Sequence, residues 1–278
     1  ILLPFSAITL LINIIKSILI TQYTFRIPII CVGNIFIGGT GKTPLSIFIY
    51  KLLKKKKFKP AIIRKYYSSH LDEINFTKSK VKQFFYKKDR ASSILEAEQK
   101  RNNIIIMDDG LHDISIKKDL NIICFNSSDL VGNELLLPAG PLRDRITKVK
   151  DCQIVVINGK RNTVFEKKLK QISNNLKIFQ SNYIIRKLNK FRGKKILAFA
   201  GIGNPDNFFN LLKENGLKIN EQISFPDHYN YSKEEIKNLL SLAKSKKLNL
   251  VTTEKDYFRI KKLGFKKISY VSVDLKII

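Results

Sequence analysis

At 278 residues and 44% apolar side chains, the chain can hold one large domain or two modest ones around real cores, which excludes a disordered polyelectrolyte. Lys and Arg number 51 against 23 Asp and Glu, a formal charge of +28 that favours nucleic acid, anionic lipid or phosphorylated partners and says nothing of fold. Lys, Ile and Asn are all abundant, as AT-rich coding would produce, so part of that charge reads as solvated surface. Cys31, Cys124 and Cys152 lie in or beside apolar runs without metal-ligand spacing. That excludes a disulfide framework and reads as reduced core thiols of a cytosolic protein.

Residues 1–25 are apolar with a single charge, Lys16. Their length is near the ~20 residues that span a bilayer. The segment lacks the basic start and small-residue cleavage site of a signal peptide. The chain starts at Ile1, not Met, which leaves a start further upstream open. A spanning helix, a buried core helix and a helix lying in the membrane interface remain as readings. The interfacial one agrees best with a basic surface behind it to hold anionic headgroups.

Residues 29–46, IICVGNIFIGGTGKTPLS, are the stretch around which the chain is organised. Ile29 to Val32 reads as a buried strand, and Leu45, Ile47, Phe48 and Leu52 have helical spacing. Between them lie Gly38, Gly39, Thr40, Gly41, Lys42 and Thr43. Strand, glycine-rich turn, Gly-Lys-Thr and helix is the phosphate-cradling arrangement. Glycines let backbone N–H groups face an anion, and the helix N-terminus adds unpaired donors. Lys42 reaches the β/γ-phosphates in this reading, and the Thr43 hydroxyl ligates Mg²⁺. The loop is a variant, because Phe36 stands where the usual pattern has its first glycine.

Further on, 59–67 reads as a strand ending in a basic, aromatic loop. Residues 68–90 are polar and give no clear element, although Asp72-Glu73 is an acidic pair in a Lys-rich stretch. A helix is expected from Ala91 to Lys100. Ile104 to Gly110 reads as an apolar strand ending in Asp108 and Asp109, the carboxylates a Mg²⁺-phosphate site needs opposite its loop. Residues 120–125 and 153–157 are further strands, with a Pro/Gly loop between them that carries Arg143 and Arg145, both suited to an anionic substrate. Ile178 to Lys187 reads as a strand pair or linker, with a domain boundary near 185. Beyond it a strand at 196–200, a Gly-rich loop, a helix through Phe208 to Leu212, a helix from Ser232 and a strand at 248–252 predict a smaller α/β domain. The fold class is therefore α/β, a P-loop NTPase-type, mainly parallel sheet with helices on both faces, plus the smaller α/β domain and an apolar N-terminal helix. The domains read as 1–25, 26–184 and 185–278, with the last strand free to return to the first domain.

The stretches VGNIFIGGTGKTP (32–44), DDGL (108–111), GNELLLPAGPLRD (132–144), AGIGNPDNFF (200–209), FPDH (225–228) and TEKD (253–256) occur together and in order. In this the chain resembles the tetraacyldisaccharide 4'-kinase family. The resemblance implies transfer of the ATP γ-phosphate to the 4'-hydroxyl of a tetra-acylated disaccharide 1-phosphate in lipid A biosynthesis. It implies ATP and Mg²⁺ as cofactors, an anionic membrane surface and the lipid precursor as partners, no nucleic acid, and a monomer. It places the chain at the cytoplasmic face of the bacterial inner membrane, peripheral or monotopic. Carried over by residue, Gly38, Gly39, Thr40, Gly41, Lys42 and Thr43 bind ATP, and Thr43, Asp108 and Asp109 hold the metal. Asn34 and Arg143 face the substrate, and His228 works with an acidic partner, assigned to Asp72. His70 and His112 are left outside the chemistry. The family's Ser-Arg-Gly-Tyr is Ile63-Arg64-Lys65-Tyr66 here, its Gly-Asp-Glu-Pro is Leu71-Asp72-Glu73-Ile74, and its Gln-His is His112-Asp113.

On this reading Asp72 accepts the proton of the sugar hydroxyl, His228 orients it, and the site is complete only when the domains close. The alternatives are a membrane-associated regulatory P-loop ATPase and a degenerate, low-activity copy of the kinase. Against the ATPase, Ile37 stands where that loop carries a Lys. Charge alone favours a nucleic-acid binder, and no motif supports one.

Overall fold

The computed structural model describes residues 2–68 and 71–278, leaving aside the side chains of Lys16 and Ser17. His70 lies outside the described residues. In chain order the elements are α1 (Leu3–Leu19), β1 (Ile29–Gly33), α2 (Lys42–Lys55), β2 (Pro60–Lys65), α3 (Leu71–Lys80), β3 (Phe84–Lys87), α4 (Arg90–Gln99), β4 (Ile104–Asp108), β5 (Leu120–Asn126), β6 (Ile154–Asn158), α5 (Thr163–Ile172) and β7 (Lys177–Ile185). They continue as β8 (Lys195–Ala200), α6 (Pro205–Glu214), β9 (Lys218–Ser224), α7 (Lys233–Ser245), β10 (Asn249–Thr253), α8 (Glu254–Lys261), β11 (Ser269–Val271) and β12 (Val273–Ile277).

Two compact units result. The first comprises Ile1–Tyr67, Val81–Asn182 and Leu275–Ile278, and the second Ser68–Lys80 and Tyr183–Asp274. The segment that carries Asp72 thus belongs to the second unit, although its position in the sequence predicts the first domain.

The first unit is built on an eight-stranded sheet of order β12-β7-β6-β5-β1-β4-β2-β3. From β7 to β3 every neighbouring pair is parallel. Parallel strands covered on both faces read as unbroken apolar runs, and Cys31, Val32, Ile105, Ile106 and Met107 are fully buried. The register pairs Val32 with Asp108, so β1 and β4 end together. β1 sits between β4 and β5, where the strand order reverses, and in open α/β sheets ligands collect at the carboxyl ends of strands at such a point. Gly110 is required there, because a Cβ would lie 2.3 Å from Met107 Sδ.

The second unit holds a four-stranded, all-parallel sheet of order β11-β10-β8-β9. Ser232 opens α7 with a capping box to Glu235, which is why that helix starts where the sequence placed it.

Two stretches differ from expectation. Residues 71–80, unassigned from sequence, form α3; its Asn, Thr and Ser content hides the helix, and buried Ile74, Phe76 and Thr77 hold it in place. Residues 177–185 form one strand, β7, rather than a pair or linker, because the alternating KIFQSNYII run pairs with β6.

Helix α1 is not a buried core helix. Leu3, Phe5, Ile8, Leu11, Ile15, Ile18 and Leu19 are exposed, while Ser6, Thr9 and Asn13 turn toward the protein. Ser6 donates to the Leu136 carbonyl at 2.7 Å, Thr9 to that of Leu137 at 2.9 Å, and Asn13 to that of Arg143 at 3.2 Å. Among the described residues no helix is long and apolar enough to cross a membrane.

Candidate functional site

In the first unit the chain leaves β1 at Gly33, whose Cβ would lie 2.4 Å from that of Leu111, and enters the loop. Gly38 and Gly41 adopt φ of 118° and 91°, which favour glycine. Gly41 caps α2 without a side-chain bond, and the first turn has no acid to meet its N–H groups. The helix end therefore presents unpaired donors and a partial positive charge, with Lys42 as its first residue.

Asp108 ends β4 fully buried. One oxygen accepts from Ser46 Oγ at 2.9 Å, and the other from Thr43 Oγ1 at 3.0 Å and Arg64 Nη1 at 2.9 Å. Arg64 Nη1 also donates to Thr43 Oγ1 at 3.1 Å. Asp109 sits beside it in left-handed conformation at φ 54°, with Lys42 Nζ at 3.7 Å and Arg143 Nη2 at 3.2 Å from its carboxylate. Burial pushes that carboxyl upward, but Lys42, Arg143 and Arg64 outweigh it and hold it well below the usual range. The structure thus brings Thr43, Asp108, Lys42, Asp109 and Arg143 together.

The hard oxygens of Thr43, Asp108 and Asp109 are the chemistry Mg²⁺ takes, with waters and phosphates completing its shell. Arg64 now bridges Thr43 and Asp108, so a cation between those two oxygens requires it to shift. Among the described residues no cluster of three or more His, Cys, Asp or Glu forms an all-protein metal cage. For the nucleotide, the uncapped helix end and the buried Arg143 Nε, which has no hydrogen-bond partner, supply donors for phosphate.

Asn34 is a correction to its sequence reading. Its side chain is fully buried and donates to Phe36 O at 2.7 Å and Thr40 Oγ1 at 2.9 Å, closing the loop on itself; Arg143 donates to its Oδ1. Here it braces the phosphate loop and does not face a substrate. Thr40 is likewise buried, its hydroxyl taken by Asn34. His112 Nε2 lies 2.8 Å from the Asn34 carbonyl and Nδ1 2.7 Å from Asp144, so it fastens the same loop from behind. The three thiols are buried, and burial pushes Cys31 and Cys152 up to about 12, which leaves them inert.

In the second unit the structure brings Asp72 and His228 together. Asp72 lies in the first turn of α3 and is buried. His228, left-handed at φ 56°, places Nδ1 3.4 Å from Asp72 Oδ2 and keeps its side chain 30% exposed. Burial pushes the Asp72 carboxyl upward, yet His228 and Arg259 hold it far below the usual range. The bond to Asp72 raises the imidazole in turn.

Sequence reasoning missed Ser46, Arg64 and Arg259. The signal for Arg64 was available, since a buried cation at the end of a strand beside Asp108 needs that acid. Arg259 stands one helical turn past Asp256, and nothing in the sequence links it to Asp72.

The family described as "Tetraacyldisaccharide-1-P 4'-kinase" (LpxK) matches residues 1–277. A protein named tetraacyldisaccharide 4'-kinase from Pelagibacter ubique is 40% identical, covering 99% of this chain and 88% of its own length. One from Rickettsia typhi is 33% identical over 99% of this chain and 90% of its own. The crystal structure of LpxK from Aquifex aeolicus in complex with ATP superposes with a TM-score of 0.74 at 23% identity, covering 100% of this chain and 94% of that one.

Proposed function

The chain belongs to the tetraacyldisaccharide-1-P 4'-kinase family, ATP-dependent kinases of lipid A biosynthesis, and on that premise we propose how its residues divide the work. The first unit holds ATP through Gly38, Gly39, Gly41, Lys42 and Thr43. Thr43, Asp108 and Asp109 are the ligands offered to Mg²⁺, which when bound neutralises phosphate oxygens. Lys42 and Arg143 supply positive charge where the γ-phosphoryl group leaves, since this chemistry asks mainly for positioning and electrostatic stabilisation. Asn34 and Thr40 keep the loop in shape. The second unit supplies Asp72 and His228 for the proton of the acceptor 4'-hydroxyl. The observation that carries the reading is that Thr43 meets Asp108 beside an uncapped, glycine-led helix end headed by Lys42.

The assay is transfer of labelled γ-phosphate to the disaccharide 1-phosphate in detergent micelles. Asp72→Ala and His228→Ala are each expected to lower turnover by ~10²-fold or more, the scale of general acid–base catalysis. Unchanged rates in both would remove the pair from the chemistry.

For α1 the proposal is a helix lying in the headgroup region at the cytoplasmic face of the inner membrane, apolar face down, with the chain acting as a monomer. Its exposed Ile8, Leu11, Ile15 and Ile18 favour this. Ile8→Ser, Ile15→Ser and Ile18→Ser combined are expected to abolish co-flotation with vesicles containing anionic lipid, with the melting temperature unchanged. Retained flotation would assign membrane contact to another surface.

A further inference from the structure

We propose that Arg259 is the positioning residue of the Asp72–His228 pair, and that Thr253, Asp256 and the Gly201 carbonyl are its mount. This rests on the reading that the pair serves phosphoryl transfer, and it gives a task to the 253–256 motif and the loop at Gly201.

The guanidinium is almost buried, with 11% of the side chain exposed. Nε and Nη2 donate to Asp72 Oδ2 at 3.2 and 2.5 Å, and Nη1 donates to Gly201 O at 2.6 Å and Asp256 Oδ1 at 2.8 Å. Nη2 also lies 3.4 Å from His228 Nδ1. One planar group therefore touches both members of the pair and two fixed points behind them. Those points are built for it. Asp256 is fully buried, and its carboxylate also accepts from Thr253 Oγ1 at 2.7 Å, Gly201 N at 3.1 Å and Tyr231 OH at 3.1 Å. Thr253 caps α8 as well, so the helix that carries Arg259 starts at its own anchor. A rigid five-donor fork is the group that can serve this many acceptors at set angles, and a lysine is not.

The chemical effect is electrostatic. Arg259 keeps Asp72 ionised, and an ionised Asp72 holds Nδ1 of His228, so the exposed edge of the imidazole is aimed outward. Arg259 also opposes a positive charge on the ring. The charged groups facing the ring are Asp72 from α3, Arg259 from α8, and Asp227 and Glu73 at longer range. Without Arg259 the acids act on the ring unopposed, and its proton is held to higher pH.

The test is Arg259→Gln and Arg259→Lys in the full chain. The sequence contains only His70, His112 and His228, which makes the titration of each ring assignable by NMR. In Arg259→Gln the midpoint of His228 is expected to move upward with the other two unmoved. The Lys variant, which keeps the charge, is expected to restore most of that midpoint. In the same preparation kcat is expected to fall about 10- to 100-fold, the cost of a mispositioned reacting group, with KM for ATP unchanged. A His228 midpoint unmoved in folded Arg259→Gln overturns the proposal, as does a kcat within about twofold of the parent. If Arg259→Gln does not fold, a folded Lys variant that keeps the parent's kcat overturns it, because a lysine cannot hold the pair in place. Asp72→Asn and His228→Ala run in parallel separate the two failures. If they lose activity while Arg259→Gln keeps it, only the positioning role falls; if they keep activity, the function assigned to the pair falls with it.

Discussion

Asp108→Asn is expected to cost about 3–5 kcal/mol of folding stability, the range for breaking a buried ion pair from one side. Asp108 is fully buried and takes donors from Ser46, Thr43 and Arg64. Asparagine keeps the shape but replaces one acceptor oxygen with an amide that donates toward groups already donating. Arg64, 5% exposed, is then a buried cation without its carboxylate at 2.9 Å. A urea midpoint read by circular dichroism measures the loss, with Asp109→Asn as the control. Asp109 has 25% of its side chain exposed, so water can relax around the change and the cost is expected to be smaller than that of Asp108→Asn. Equal costs for the two variants would mean that Asp108 is not the structural keystone of this end of the sheet.

Lys42→Ala is expected to do the opposite, leaving the fold intact and removing the chemistry. Lys42 opens α2, where alanine is as good a helix former, and Asp109 retains Arg143 at 3.2 Å. What disappears is the cation at the mouth of the loop. By the scale for deleting one preorganised charge at a reacting oxygen, kcat falls about 10²- to 10³-fold. Binding of a nonhydrolysable ATP analogue weakens less, because the backbone donors at Gly41 and beyond remain. Turnover within tenfold of the parent would show that the phosphates are held elsewhere.

Much of the first unit was legible because its strands state their burial directly. The Ile29–Val32 and Ile104–Met107 runs have no other stable home than the middle of a parallel sheet, and Gly41-Lys42-Thr43 and Asp108 come soon after them in the chain. The register that sets Val32 against Asp108 then makes two separate motifs one site. Asn34 was misread because residue type alone does not tell a polar side chain that faces a ligand from one that closes a loop; only its bonds to Phe36 and Thr40 decide that. Helix α3 was invisible for a different reason. Its local pattern is weak, and its stability comes from packing against α8, far away in the chain. Arg259 shares that origin, since apart from Asp256, one turn away on its own helix, its partners come from α3, from the 228 loop and from the end of β8.

The backbone enters the second unit at Ser68, leaves it after Lys80, and returns at Tyr183 to stay until Asp274. A gene cut once, anywhere, cannot give both units whole. A fragment beginning at Tyr183 carries the imidazole and its guanidinium clamp but not the Asp72 carboxylate they share, and one ending there carries that carboxylate on a helix without α8 to lie against. On the ribosome the same order means that α3 is made long before α8 emerges to shelter it. For that interval the future proton-handling acid belongs to an unfinished fold, and any shuffling of this protein as modules must move both pieces at once.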